Sequence, residues 1–355
     1  MTEADPLVAI VAKPEGERAI ASLRAEGVYD DSRSVREAGD EALALPVTER
    51  PTETDVRAIR RQSDPEPRSP GLLDLLRDRG WSEDELAGVP RSWAVIGSVI
   101  LADFEGCPRE SEVGDALLEL HGGADTVLAR EGISGEHREP SVRTVAGAGD
   151  TETIHTEHGT RYALDLAEVM FSPGNKAERA RMGDVVTEDE RVLDMFAGIG
   201  YFTLPMARAG AHVTAIERNP TAFRYLLENS VLNGVEEKIE AYRADCRDVE
   251  IEEEVDRVVM GYYDAAEPRS DDGRASSGTS YEYLDHALGA LTDGGIVHVH
   301  EATPEALLWD RPVSRLEDAA ERTGREVELL DRRRVKGYSE GVVHVVLDAR
   351  IGRSG

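Results

Sequence analysis

The residues best placed to do chemistry lie in Asp194-Met-Phe-Ala-Gly-Ile-Gly200, between an apolar run and a helical one. Glycine lets a chain turn sharply from strand to helix and lets a ligand approach the backbone closely. Gly198 and Gly200 give a GxG spacing, and Thr203 stands where a dinucleotide fingerprint has its third glycine. Glu217 closes the next apolar run, about 20 residues on, where a carboxylate can accept both hydroxyls of a ribose. Asp245 follows a third run and is placed to accept from an adenine amino group. Each acid alone also fits a helix N-cap or a solvated strand end. Together, after consecutive strands, they suit an adenosyl ligand. A pyrophosphate favours the tight GxGxxG turn, and Asp194 at the head of this turn would repel it. The same carboxylate suits the cationic end of S-adenosylmethionine, which is the expected cofactor.

These residues need a scaffold that brings strand ends together. Val192–Phe196, Val213–Glu217, Ile239–Tyr242, Val255–Met260 and Gly295–Val299 read as strands with helices between them, for instance Thr221–Asn233. That alternation predicts an α/β fold, a Rossmann-like doubly wound parallel sheet. It should occupy residues 169–355, preceded by smaller α+β domains. Leu7–Val11, a helix over Glu15–Glu26 and Leu43–Val47 suggest a small α+β element over residues 1–50. Residues 51–71, with Pro51, Pro65, Pro67 and Pro70 among charges, read as a linker. Residues 72–168 form a further α+β region ending in a β-hairpin, Thr151–His155 and Arg161–Asp165 around a turn at His158-Gly159. His155 and His158 read there as solvated hairpin residues, and His298, His300 and Glu301 as sheet-end residues. Tyr281 and Tyr283 read as helix packing, and Asp264–Thr279 as a polar insertion.

Composition bounds the rest. Cys107 and Cys246 are the only cysteines, so neither a disulfide framework nor a thiolate zinc site is expected, and no metal site is assigned. The acidic start, Met1-Thr-Glu-Ala-Asp5, has no secretory apolar run, and no stretch of about 20 apolar residues could span a membrane. A cytoplasmic protein is expected. The net charge is −30, and the 37 arginines stand against only four lysines, Lys13, Lys176, Lys238 and Lys336. Dense carboxylate with scarce lysine is what a salt-loaded, halophilic cytoplasm favours, and it removes net charge as an argument against an RNA partner. The fold should then depend on salt: the Debye length grows from about 3 Å at 1 M to about 10 Å at 0.1 M, restoring self-repulsion. Tm is expected to fall on dialysis from molar to 0.1 M salt. A Tm that holds steady would refute the adaptation.

Several longer motifs run in order along the chain: Phe171-Ser-Pro-Gly-Asn-Lys-Ala-Glu-Arg179, Asp194–Gly200, Ala215-Ile-Glu-Arg-Asn219, Glu228-Asn229 with Leu232-Asn233, Asp245-Cys-Arg-Asp248, Met260-Gly-Tyr262, and Lys336-Gly-Tyr338 with Val343–Asp348. From about Thr151 to Asp348 the sequence resembles the archaeal and eukaryotic tRNA guanine-N1 methyltransferases and the related tRNA wybutosine-synthesizing protein 2 group. The methyltransferases carry Phe-Ser-Pro-Arg and an Asn-Leu-Pro-like motif, where this chain has Phe171-Ser-Pro-Gly174 and Met260-Gly-Tyr262. Both departures match the wybutosine group. That resemblance implies a class I S-adenosylmethionine-dependent methyltransferase-like catalytic domain and transfer of the 3-amino-3-carboxypropyl group of S-adenosylmethionine to C7 of 4-demethylwyosine at position 37, in the anticodon loop of tRNA(Phe). Methyl transfer to guanine N1 at that position is the alternative, and a non-catalytic tRNA-binding relative a second one. The resemblance further implies cofactor-binding roles for Ser172, Arg179, Asp194, Phe196, Gly198, Glu217, Asp245, Cys246, Met260 and Gly261. Arg179 would grip the amino acid carboxylate with two prongs, or else form an ion pair with Glu178 or Asp184. No catalytic base is identified. The polar insertion departs from the family pattern and puts any role of Tyr263 and Asp264 in doubt.

Overall fold

The computed structural model describes residues 5–134, 139–262 and 280–353. The insertion at residues 264–279, with Tyr263, lies outside them. The chain divides into two compact units, Met1–Leu86 and Ala87–Gly355.

In the first unit, β1 (Leu7–Ala12), α1 (Gly16–Ala25), β2 (Arg36–Glu37), β3 (Ala42–Val47) and β4 (Ala58–Arg61) build a four-stranded sheet in the order β2-β3-β1-β4. The alternating side chains of β1 fill both faces, Ala9 and Val11 packing with Leu23 and Leu45, and Val8 and Ile10 with Ala44. The expected linker is therefore partly sheet. Pro51, Pro65, Pro67 and Pro70 flank Ala58–Arg61 without interrupting it, and Leu7–Ile10 pair with that strand antiparallel. Two short helices follow, α2 (Leu72–Asp78) and α3 (Glu83–Ala87).

The second unit opens with β5 (Trp93–Ile96), β6 (Val99–Ala102), α4 (Glu110–Leu120), β7 (Thr126–Ser134) and β8 (Glu139–Gly147), the strands forming one sheet in that order. A hairpin of β9 (Glu152–Glu157) and β10 (Thr160–Asp165) follows. Its turn residues His158 and Gly159 both have positive φ, 47° and 78°, the mirror-image turn that suits strand twist. No boundary falls at residue 168. Ile96, Leu128, Tyr162 and Phe171 share one core with Val192 and Val259, so the region before residue 169 is packed into the cofactor fold.

The remaining elements are α5 (Lys176–Val185), β11 (Arg191–Asp194), α6 (Thr203–Arg208), β12 (His212–Ile216), α7 (Pro220–Asn233), β13 (Ile239–Tyr242), β14 (Val255–Met260), α8 (Leu284–Gly289), β15 (Leu291–Pro304), α9 (Asp310–Arg322), β16 (Arg325–Ser339) and β17 (Val342–Arg353). The seven strands lie in the order β13-β12-β11-β14-β15-β17-β16. The five strands from β13 to β15 are parallel, as expected, but β17 pairs antiparallel with β15, and β16 with β17. Apolar residues fill both faces of the parallel strands: Val192 and Val259 belong to one core, Leu193, Val258 and Met260 to the other. The order reverses between β11 and β14, and a doubly wound sheet opens its ligand crevice at such a switch point.

Two asparagines of α7 dock the hairpin. The Asn229 side chain accepts from Ala163 N–H at 2.7 Å and donates to Ala163 C=O at 3.0 Å; Asn233 does the same with Arg161 at 2.9 and 2.7 Å. Spaced four apart on one helix face, the two amides pair with alternate residues of an edge strand and satisfy its backbone. Among the described residues no helix is long and apolar enough to cross a membrane, and no group of acids, histidines and cysteines is arranged to hold a metal.

Candidate active site

The turn after β11 is built around two carboxylates. Asp194 is fully buried, accepting from the Thr203 hydroxyl at 2.7 Å and the Phe196 N–H at 3.4 Å. Burial pushes its carboxyl up to about 6, with the nearby charge of Glu217 adding to the rise. Gly198 has φ of 57°, and a Cβ there would sit 2.5 Å from the Tyr201 ring, so glycine is required on both counts. Gly198 N–H donates to Glu217 Oε2 at 2.8 Å, and Asn219 N–H to Oε1 at 2.7 Å. Asn219 in turn caps α7, its side chain accepting from Thr221 and Ala222 N–H. The acid after β12 is thus locked to the turn after β11. Burial raises the Glu217 carboxyl, and its two oxygens keep lone-pair capacity beyond their backbone donors.

On the β13 side, Asp245 is held below its usual carboxylate range by Arg247, whose Nε and Nη2 reach its two oxygens at 2.9 and 2.7 Å. The Arg247 guanidinium lies 4.7 Å over the Tyr283 ring, and Tyr283 meets Phe196 edge-to-face at 5.0 Å. Phe196 also packs on Tyr262 at 5.3 Å. An aromatic wall thus stands beside the strand ends, and Tyr283 packs as expected but against a candidate site residue. Cys246 is buried and its thiol is pushed up to about 12 by burial, so its side chain is a neutral packing group beside Ile216 and Met195. Met260 is likewise fully buried at the end of β14, and a Cβ on Gly261 would come 2.8 Å from the Phe202 ring.

Arg179 departs from its expected role. Its Nε and Nη2 grip Glu157 at 2.6 and 3.0 Å, its Nη1 donates to the Ser172 carbonyl at 2.9 Å, and its guanidinium stacks 4.6 Å from the Phe171 ring. The carboxylate between its prongs is therefore Glu157, not Glu178 or Asp184; Glu178 pairs with Arg333 at 2.9 Å. His155 is not solvated either: its ring bonds Glu157 at 3.1 Å and accepts from Gly97 N–H at 3.1 Å, while His158 is exposed. The Ser172 hydroxyl accepts from Lys336 of β16.

His298, His300 and Glu301 are all buried in the sheet. A guanidinium can only donate, so the bond between Arg257 and His298 Nε2 leaves Nδ1–H to donate to Asp348 at 2.7 Å. Glu301 pairs with Arg311 and Arg315 at 2.8 and 3.0 Å. Sequence reasoning missed the roles of Glu157, Arg247 and Asn219, although Asn219 and Arg247 lie inside the motifs Ala215–Asn219 and Asp245–Asp248.

Among the sequence-derived residues, then, Asp194, Phe196, Gly198 and Glu217 converge at the turn, and Asp245 reaches Phe196 through Arg247 and Tyr283. The donor and acceptor set fits an adenosyl ligand: a strand-end carboxylate for ribose, a glycine where the backbone must be approached, and a flanking aromatic wall. Comparison with known proteins agrees. Residues 153–330 match the TRM5/TYW2 methyltransferase domain, and residues 72–151 the TYW2 N-terminal domain. A Pyrococcus horikoshii protein named tRNA(Phe) (4-demethylwyosine(37)-C(7)) aminocarboxypropyltransferase is 39% identical over 293 residues, covering 81% of this chain and all of the relative. The crystal structure of P. horikoshii TYW2 in complex with MeSAdo superposes with TM-score 0.65 at 36% identity, over 79% of this chain and 97% of that one. The crystal structure of Pyrococcus abyssi Trm5b superposes with TM-score 0.70 at 29% identity, over 98% of this chain and 99% of that one. The chain belongs to the TRM5/TYW2 family of S-adenosylmethionine-dependent tRNA-modifying enzymes.

Proposed function

We propose that this protein transfers the 3-amino-3-carboxypropyl group of S-adenosylmethionine to C7 of 4-demethylwyosine at position 37 of tRNA(Phe). The observation that carries this reading is the match to the P. horikoshii aminocarboxypropyltransferase along that relative's whole length. The Phe171-Ser-Pro-Gly174 and Met260-Gly-Tyr262 motifs support the same branch. Bound S-adenosylmethionine supplies an electrophilic carbon: the C7 electron pair forms the new C–C bond, the C–S pair stays on sulfur as methylthioadenosine, and the C7 proton leaves to solvent or a base.

The chain's own residues orient rather than react. Glu217, fixed by two backbone N–H groups, offers its remaining lone pairs to ribose hydroxyls, and Gly198 leaves the backbone open to a ligand. Asp194 contributes negative charge beneath the turn once ionised, above about pH 6. Only one of the three carbons on a sulfonium can be aimed in line at a nucleophile in a given pose, so positioning selects the group transferred.

A second reading has one observation in its favour. Trm5b matches nearly the whole chain, whereas the P. horikoshii TYW2 structure covers 79% of it. Trm5b of P. abyssi is named a tRNA (guanine(37)-N(1))-methyltransferase. Cofactor labelled separately in the methyl and carboxypropyl groups distinguishes the two. Carboxypropyl label is expected to enter tRNA carrying the demethylated tricyclic base, and methyl label to stay out. Stoichiometric methylation of unmodified guanosine would establish the second reading instead.

A further inference from the structure

The chain carries 71 acidic side chains against 41 of lysine and arginine, so a surface where cations outnumber acids is set apart from the rest. One such surface is an open groove of about 660 Å³ along α5. Its lining includes Gly174, Lys176, Ala177, Arg181 and Asp184, with His158 from the tip of the hairpin of β9 and β10. Ala177, Arg181 and Asp184 are spaced to share one face of α5. Asp184 is the one acid among the described residues that line it.

The acids next to the groove in sequence are withdrawn from it. Glu157, adjacent to His158, and Glu178, adjacent to Ala177, are buried and held by Arg179 and Arg333 at 2.6 and 2.9 Å. The cations stay outside. Lys176 is exposed, and so is Arg208 at the end of α6. Arg208 Nη1 donates to two neutral groups of the hairpin tip, the His158 carbonyl at 3.4 Å and the Thr160 hydroxyl at 2.8 Å. Arg181 shares its charge with the buried Asp348 at 2.5 Å. Because α5 begins at Lys176, the positive end of the helix dipole falls at the same place.

The groove lies beside the cofactor turn. Gly174 stands three residues after Phe171, a stretch of at most about 11 Å. The Phe171 ring packs 5.9 Å from that of Tyr201, against which a Cβ on Gly198 would sit. A nucleic acid strand whose target base enters at that turn therefore carries its neighbouring nucleotides past the groove. Phosphate oxygens accept from lysine, arginine and helix N-termini, and an unstacked base can lie on a histidine ring.

We propose that the groove between α5 and the hairpin tip is a docking surface for the single-stranded RNA backbone beside the target nucleotide. Lys176 and Arg208 meet its phosphates, and His158 offers a ring to a splayed base. This rests on tRNA as the substrate and names the surface on which its strand lies.

The test is tRNA(Phe) binding to the full-length protein, read by fluorescence anisotropy at several salt concentrations that all keep the fold. Lys176→Gln is expected to weaken binding by up to about 5-fold and to flatten the slope of log affinity against log salt by about 0.7, the share of one phosphate contact on a single strand. Ala177→Glu puts a carboxylate into the groove at an exposed helix position that glutamate suits, and should weaken binding about 10-fold. Asp184→Asn removes the acid from the lining and should tighten binding about 2-fold. Tm and S-adenosylmethionine affinity are expected to hold in all three variants, which separates the groove from the fold and from the cofactor crevice. Wild-type tRNA affinity in Ala177→Glu, or weaker binding in Asp184→Asn, would overturn the assignment. Label transfer reports the reaction and strand affinity reports the groove, so either can fail alone.

Discussion

Arg179→Met is expected to destabilise the second unit by about 3–5 kcal/mol, the cost of leaving one member of a buried ion pair without its partner. Both side chains of the pair are 3% exposed. Burial alone would push the Glu157 carboxyl up, but hydrogen bonds from His155 and Arg179 outweigh it and hold the group at about 2. A carboxyl depressed on folding stabilises the fold above its unfolded value, and that stabilisation is lost as pH falls through the folded value. The gap between wild type and Arg179→Met should therefore be full at pH 7 and shrink from about pH 4.5 toward pH 2. Urea midpoints at fixed high salt measure it. The double variant Glu157→Gln with Arg179→Met should recover part of the loss, because it removes the stranded charge. A single variant as stable as wild type would show that the pair contributes no net stability.

Glu217→Ala is expected to weaken S-adenosylmethionine by roughly 2–4 kcal/mol, about 30- to 1000-fold, through loss of charge-assisted bonds to the ribose. Two backbone donors, Gly198 N–H and Asn219 N–H, also lose their acceptor. Part of the effect is thus a loosened turn, and Glu217→Gln separates the contributions: its amide oxygen can still accept from one of them. Calorimetry reads the affinity, and Tm reports the fold. Unchanged affinity in a folded Glu217→Ala protein would remove Glu217 from the site.

What the sequence by itself determined was local and periodic. The apolar runs of β11, β12 and β14 are legible because a strand buried on both faces is apolar along most of its length, while the edge strand β13 shows only the alternation of a half-buried one. The glycine turn and the acid closing β12 are legible because backbone conformation and strand-end position are properties of short segments. The tertiary structure alone decided the partnerships. Arg179 reads as a carboxylate clamp in its motif, but the carboxylate it holds lies 22 residues earlier, on a hairpin folded back beside α5. Asp245 has its charge partner Arg247 two residues on, but the Tyr283 ring over which that guanidinium lies comes from a distant segment. The strands β16 and β17 escaped the parallel pattern because they join the sheet as an antiparallel pair, a choice of edge and direction that no run of residues encodes. Lys336 meets Ser172 across 164 positions of chain. Contacts of that kind arise only when the packed core has fixed where each strand end lies, so their chemistry belongs to the fold.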